Sequence, residues 1–159
     1  MSGKFKYTTY LACAIESSPP DGEVEWKTQV KSAFNRHILG IYDPVEQEES
    51  KTGKPAGAMC HYITGCKRGG RWGEFLEGMG KIWWGDIKST GNKISILQAL
   101  RNKAVIDGNH SQEFQHWGDY EAVVRSDFII AYLEKNVPTV GTLDEIHLAY
   151  LFDIPIFQP

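Results

Sequence analysis

The stretch GDYEAVVRSDFIIAYL, residues 118–133, decides the fold. Its first ten residues read as a short helix opening on Asp119. The next six, FIIAYL (128–133), form an unbroken apolar run. Six apolar residues with no polar alternation suit a strand buried on both faces, as strands of parallel sheets are. Outward toward the C-terminus, EKNVPTVG reads as a turn, TLDEIHLAYLFD as a helix beginning near Thr142, and IPIF (154–157) as another strand. Outward toward the N-terminus the same alternation returns. YTTYLACAI (7–15) reads as a strand, and ESSPPDG breaks regular structure through its prolines and glycine. EVEWKTQVKSAFNRH then spaces Val24, Trp26, Val30 and Phe34 as an amphipathic helix would. ILGIYDP (38–44) reads as a second buried strand closed by Asp43-Pro44. Strand, helix, strand is a βαβ unit. The whole predicts a single α/β domain with a doubly wound parallel sheet, Rossmann-like in architecture. Ligands of such sheets sit beyond the carboxyl ends of the strands. The loops after Ala14, after Leu133 and around Gly141 should therefore converge.

Residues 46–116 are harder to read. EQEESKTGKPAGAM is polar and reads as an exposed loop. GCKRGGRWGEFLEGMGKIWWGDIKSTGN, rich in glycine, reads as a loop with aromatic anchors; it lacks the G-x-x-x-x-G-K-[ST] pattern of a phosphate-binding loop. KISILQALRNKAVI (93–106) reads as a helix with Ile96, Leu97, Leu100 and Ala104 on one side.

Composition narrows the function classes. With 159 residues the chain can bury a core without staples. A net charge of −3 and scattered Lys and Arg give no reason to expect a nucleic-acid partner. No apolar run approaches the roughly 20 residues that span a bilayer, so no membrane partner is expected. The opening MSGKFKYTTYLACAI imitates a signal peptide weakly, but Tyr and Thr interrupt its apolar patch, and a first strand is the better reading. Cys13, Cys60 and Cys66 are an odd number with no disulfide framework, which suits a reducing, cytoplasmic compartment. CHYITGC (60–66) is not a C-x-x-C pair and no second pair follows, so no metal site is expected.

Two carboxylates stand out. Glu145 falls in the first turn of the helix near Thr142, and Asp119 opens a helix 26 positions earlier. Placed at one edge of a parallel sheet, such a pair suits glycosyl chemistry: one acid attacks an anomeric carbon and the other serves the leaving group. A fixed carboxylate also stabilises an oxocarbenium-like transition state directly. The plainer reading stands beside it. Thr142 followed three residues later by Glu145 is a helix capping box, and acids in first turns suit the helix dipole. Asp127 reads as structural and Asp144 as solvated or in the dipole field. His147, two residues after Glu145, points elsewhere on the helix.

YLACAI, DYEAVVRSDFIIAYL, GTLDEIHLAY and DIPIF together resemble, in order, the motifs of the nucleoside 2-deoxyribosyltransferase family, whose superfamily includes 2′-deoxynucleoside 5′-monophosphate N-hydrolases. The resemblance covers roughly residues 7–15 and 117–157, with Asp119, Asp127, Gly141, Thr142, Glu145 and Ala149 in register. Residues 46–116 do not take part. The resemblance implies a flavodoxin-like fold and cleavage of an N-glycosidic bond without a cofactor. Glu145 falls on the nucleophile that forms a glycosyl-enzyme intermediate, Asp119 on the acid near base and sugar, and Tyr10 on a tyrosine whose hydroxyl approaches the nucleophile. Cys13, Ala14, Thr139, Gly141 and Thr142 fall on substrate-binding positions.

The departures bear on the substrate. Transferases acting on free nucleosides often carry Asp where this chain has Thr139, six positions before the nucleophile, whereas the monophosphate hydrolases carry a serine that contacts phosphate. Thr139, Gly141 and Thr142 at a helix N-terminus would suit a phosphate. Glu16 stands where those hydrolases have Arg, and Cys13-Ala14 replaces Gly-Pro or Gly-Ser. The last strand ends the chain, so the C-terminal extension by which some transferases complete a neighbour's site is not expected, although relatives usually form homo-oligomers. The expected function is cleavage of a nucleoside or nucleotide, with transfer of the sugar to a base or to water. A non-catalytic nucleotide-binding module and an NAD-glycohydrolase-like enzyme are the competing readings.

Overall fold

A computed structural model describes residues 5–14, 20–35, 37–54, 58–87, 91–107, 117–133, 135–136 and 140–159. The strands are β1 (Tyr7–Cys13), β2 (Leu39–Tyr42), β3 (Phe128–Tyr132) and β4 (Ile156–Phe157). They form one four-stranded sheet in the order β2-β1-β3-β4, and every pairing is parallel. From β1 the chain passes to β2 on one side, then crosses to β3 on the other. The point where the order reverses lies between β1 and β3, and their carboxyl ends, Cys13 and Tyr132, are register partners. The doubly wound parallel sheet expected from the alternation is present.

Strand period separates two cores. Tyr10 and Ala12 of β1, Tyr42 of β2, and Ile129 and Ala131 of β3 pack with Leu97, Ala122, Val123, Leu148 and Ala149. These come from helices α5 (Lys93–Asp107), α6 (Asp119–Arg125) and α7 (Val140–Leu151). Leu11, Cys13 and Ile130 point the other way, onto Trp26 of α1 (Pro20–Ala33). Leu97 and Ala104 are buried on α5, as its periodicity predicts. Asp127 ties the two central strands together: its carboxylate accepts from the Thr8 N–H at 2.7 Å and its own N–H donates to the Thr8 carbonyl at 2.9 Å. That is the structural role its sequence position suggested.

The middle of the chain corrects the loop readings. The polar stretch from residue 46 is largely helical: α2 (Pro44–Thr52) begins directly after β2, and α3 (Ala58–Arg68) follows. Asp43 is the reason α2 starts there. Its carboxylate accepts from the Val45 N–H at 3.1 Å, and Pro44 occupies the first helical position, where no N–H is needed. The N-terminus of α3 is capped from outside its own sequence by the buried Glu48 of α2, whose carboxylate accepts from the N–H groups of Met59 and Cys60. The glycine-rich stretch also folds as helix, α4 (Trp72–Trp84). Each glycine weakens a helix by about 1 kcal/mol, but packing offsets this at Gly78, where a Cβ would lie 3.0 Å from Ile63 of α3. The α1 boundary also moves, because Pro20 starts the helix that PPDG was expected to break.

Two features constrain this frame. The first is a buried charge cluster, in which Asp43 pairs with Lys27 at 3.0 Å and Lys31 at 2.6 Å. Burial opposes ionisation of Asp43, but the two ammonium groups outweigh it and hold its carboxyl below the ordinary value. The second is Gly118, just before α6, where a Cβ would lie 2.3 Å from the Trp83 carbonyl oxygen and 2.5 Å from the Trp84 carbonyl carbon. The end of α4 thus rests on the bare backbone of Gly118, reinforced by an antiparallel bridge between Gly85 and Trp117.

Asp43→Asn should lower stability by about 3 kcal/mol at neutral pH, because Lys27 keeps its charge in a buried setting. The folded Asp43 carboxyl titrates below its unfolded value of about 3.9, so its contribution is complete above that pH and disappears as the pH falls through the folded value. Thermal melts of both proteins between pH 7 and pH 3 should show the gap closing on the acid side; a gap independent of pH would contradict the assignment. Gly118→Ala should cost about 2 kcal/mol or more in a denaturant titration, because backbone atoms cannot yield as side-chain tips can.

Candidate active site

α7 answers whether Glu145 holds the helix or does something else. The helix begins at Val140, so Thr142 lies inside its first turn instead of preceding it. The Thr142 hydroxyl is buried and has no hydrogen-bond partner among the described residues. It therefore caps nothing, and the capping-box reading is not borne out. Glu145 Oε1 instead accepts a 2.6 Å hydrogen bond from the hydroxyl of Tyr10, across 135 residues of chain.

Tyr10 is completely buried in the middle of β1, on the face covered by α6 and α7. Burial, then the negative charges of Asp119 and Glu145, push its hydroxyl well above the ordinary tyrosine value. It therefore stays protonated and donates at any working pH. Asp119 is the first residue of α6 and is 4% exposed. Tyr10 bonds Glu145, stacks on Tyr42, and Tyr42 in turn reaches Asp119, which puts Asp119 and Glu145 on the same side of the sheet. The structure thus brings together the three residues singled out for chemistry.

Two tyrosines around this group, Tyr42 and Tyr120, were missed by the sequence reading, and two tryptophans of the stretch read as aromatic anchors, Trp83 and Trp84, join them. Tyr42 lies next to Tyr10 in the register of β1 and β2, and the two rings stack with centroids 5.4 Å apart. Its hydroxyl donates to the Trp117 carbonyl at 2.9 Å and lies 3.5 Å from Asp119 Oδ1. The signal was available: a strand ending ILGIY puts a tyrosine at the carboxyl end of β2. Tyr120, next to Asp119, donates its hydroxyl to Asp144, the neighbour of Glu145, and so latches α6 to α7. Trp83 stacks on Tyr120 with centroids 5.6 Å apart and an interplanar angle of 9°, and Trp84 meets the same ring edge-on. This contact packs the end of α4 on α6 at the residue that follows Asp119 in the sequence, and no motif in the divergent middle segment announced it.

The positions expected to bind substrate are distributed differently. Cys13 is buried against Trp26 and Ile130, on the face of the sheet opposite Tyr10. Ala14, also buried, follows the carboxyl end of β1. Gly141 is exposed in the first turn of α7 and has open space where a side chain would go. Thr139 and Glu16 lie outside the described residues. His147 is exposed. Cys60, His61 and Cys66 share α3, with Cys66 buried and His61 exposed. Among the described residues no helix is long and apolar enough to cross a membrane.

What the arrangement offers chemically is a carboxylate with one oxygen fixed by a neutral donor, a second buried carboxyl, and a stacked tyrosine pair whose hydroxyls reach one acid each. No family model matches the chain, and neither a curated protein nor a solved structure is found to match it.

Proposed function

We propose that the protein cleaves the N-glycosidic bond of a nucleoside or nucleoside 5′-monophosphate, with Glu145 as the nucleophile. The observation that carries this reading is the 2.6 Å hydrogen bond from Tyr10 to Glu145, which gives Glu145 a fixed orientation unrelated to holding its helix. In the first step a Glu145 oxygen bonds to the anomeric carbon as the carbon–nitrogen bond breaks, and the electron pair leaves with the base. Asp119 supplies the proton that the departing nitrogen takes up. Water or a second base then attacks the same carbon, and the electron pair of the glycosyl ester returns to Glu145. Positive charge grows on the sugar in both transition states, and the carboxylate stabilises it. The Tyr10 hydrogen bond matters most in the second step, when negative charge returns to Oε1.

The stacked Trp83 and Tyr120 rings suit a flat aromatic leaving group next to Asp119. A cytoplasmic, homo-oligomeric enzyme without a cofactor is the biological reading that goes with this proposal.

Glu145→Gln separates this proposal from a purely structural role. Glutamine keeps the size of the side chain and an acceptor for Tyr10, so the melting temperature should change little. Base release from a panel of nucleosides and their 5′-monophosphates should fall by about 10³-fold or more. Unaltered release by the variant would remove Glu145 from the chemistry, and no release by the parent protein from any member of the panel would remove the reading itself.

A further inference from the structure

The tyrosine pair beneath the two carboxylates is linked by the sheet itself. Tyr10 and Tyr42 are direct partners in the β1–β2 register, are 0% and 1% exposed, and stack at 5.4 Å with 18° between ring planes. Their hydroxyls serve different acids: Tyr10 donates to Glu145, while Tyr42 lies within reach of Asp119. A phenol has one proton to donate and lone pairs to accept with. Tyr42 has two acceptors available to that proton, the Trp117 carbonyl at 2.9 Å and Asp119 Oδ1 at 3.5 Å. The carbonyl is a fixed point, because Trp117 bridges Gly85 and carries the Arg125 guanidinium 4.8 Å over its ring.

We propose that Tyr42 is a positioning residue for Asp119 whose hydroxyl proton follows the protonation state of that acid. While Asp119 is protonated, Tyr42 donates to the Trp117 carbonyl and its oxygen accepts from the Asp119 carboxyl. When Asp119 gives its proton to the leaving nitrogen, the Tyr42 hydroxyl turns about its own C–O bond and donates to the new carboxylate. Tyr42 gains and loses no proton; only the direction of its hydrogen bond changes. Burial, then the charge of Asp119, hold the Tyr42 hydroxyl well above the ordinary tyrosine value, which keeps that proton in place.

Other charged groups face this pair. Glu145 from α7 acts on both tyrosines, and Glu121 of α6 acts on Tyr42. Glu121 is itself paired with Arg125 at 2.7 Å and acted on by Asp86. Asp144 is engaged by Tyr120. Glu145 is the group whose titration could be mistaken for that of Asp119, so the experiment includes a Glu145→Gln background.

What the proton is used for rests on the glycosyl-transfer reading, but the coupling is measurable without turnover. The whole protein, labelled with ¹³C at Tyr Cζ and Asp Cγ, is titrated by NMR without ligand, with resonances assigned through Tyr42→Phe and Asp119→Asn. The Tyr42 Cζ resonance of the unaltered protein should move with the Asp119 midpoint, and should still do so in Glu145→Gln. Tyr42→Phe, which keeps the ring stack, should raise the Asp119 midpoint by about one pH unit through loss of a donor to the carboxylate. A Tyr42 resonance that stays flat across the Asp119 titration overturns the proposal, even if the Phe variant does not fold. Base release is scored separately, so an inactive protein with coupled titrations and an active one with uncoupled titrations are distinct results.

Discussion

The site depends on the parallel register of β1 against its two neighbours. That register puts Tyr10 beside Tyr42 on one side and opposite Ile129 on the other, all facing α6 and α7. A tyrosine in the middle of a buried strand must find a partner for its hydroxyl, because an unpaired polar group there costs about 1–3 kcal/mol. Tyr10 finds it in Glu145 and Tyr42 in the Trp117 carbonyl. The two demands fix where α7 and the start of α6 lie, and so where the two acids meet. A one-residue slip of β1 would turn Tyr10 toward α1 and separate the group.

Much of this frame was legible in the sequence, for a physical reason. FIIAYL and YLACAI are short apolar runs between polar helices, a pattern with few solutions other than a covered parallel sheet. Glu145 and Asp119 emerged through residue chemistry and the resemblance together, and Tyr10 through the resemblance alone. What that reading misjudged was local geometry. Thr142 and Glu145 have capping-box spacing, but the helix starts at Val140, so the spacing is coincidental. Spacing alone does not say which turn is first.

The middle segment misled for a different reason. Its helices are supported by contacts that no local pattern records: Glu48 capping α3 from α2, Gly78 admitting Ile63, and Gly118 receiving the end of α4. Glycines that look like loop markers are here points of close approach between elements. Tyr42 and Tyr120 were overlooked because each sat inside a segment already explained, one as strand and one as helix. Their hydroxyls acquire meaning only when distant elements are brought together. The divergent part of the chain is thus a support for the α6 end of the site, with Trp83 and Trp84 packed on Tyr120.

The central claim is that Glu145 forms a bond to the sugar. A 2′-deoxy-2′-fluoroarabinosyl nucleoside tests it directly, because fluorine beside the anomeric carbon slows the oxocarbenium-like steps and lets the ester accumulate. Intact-protein mass spectrometry after incubation with such a compound should show one added fluorosugar, and peptide mapping should place it on Glu145. An adduct on another residue, or free base released with no adduct at any time, would contradict the account.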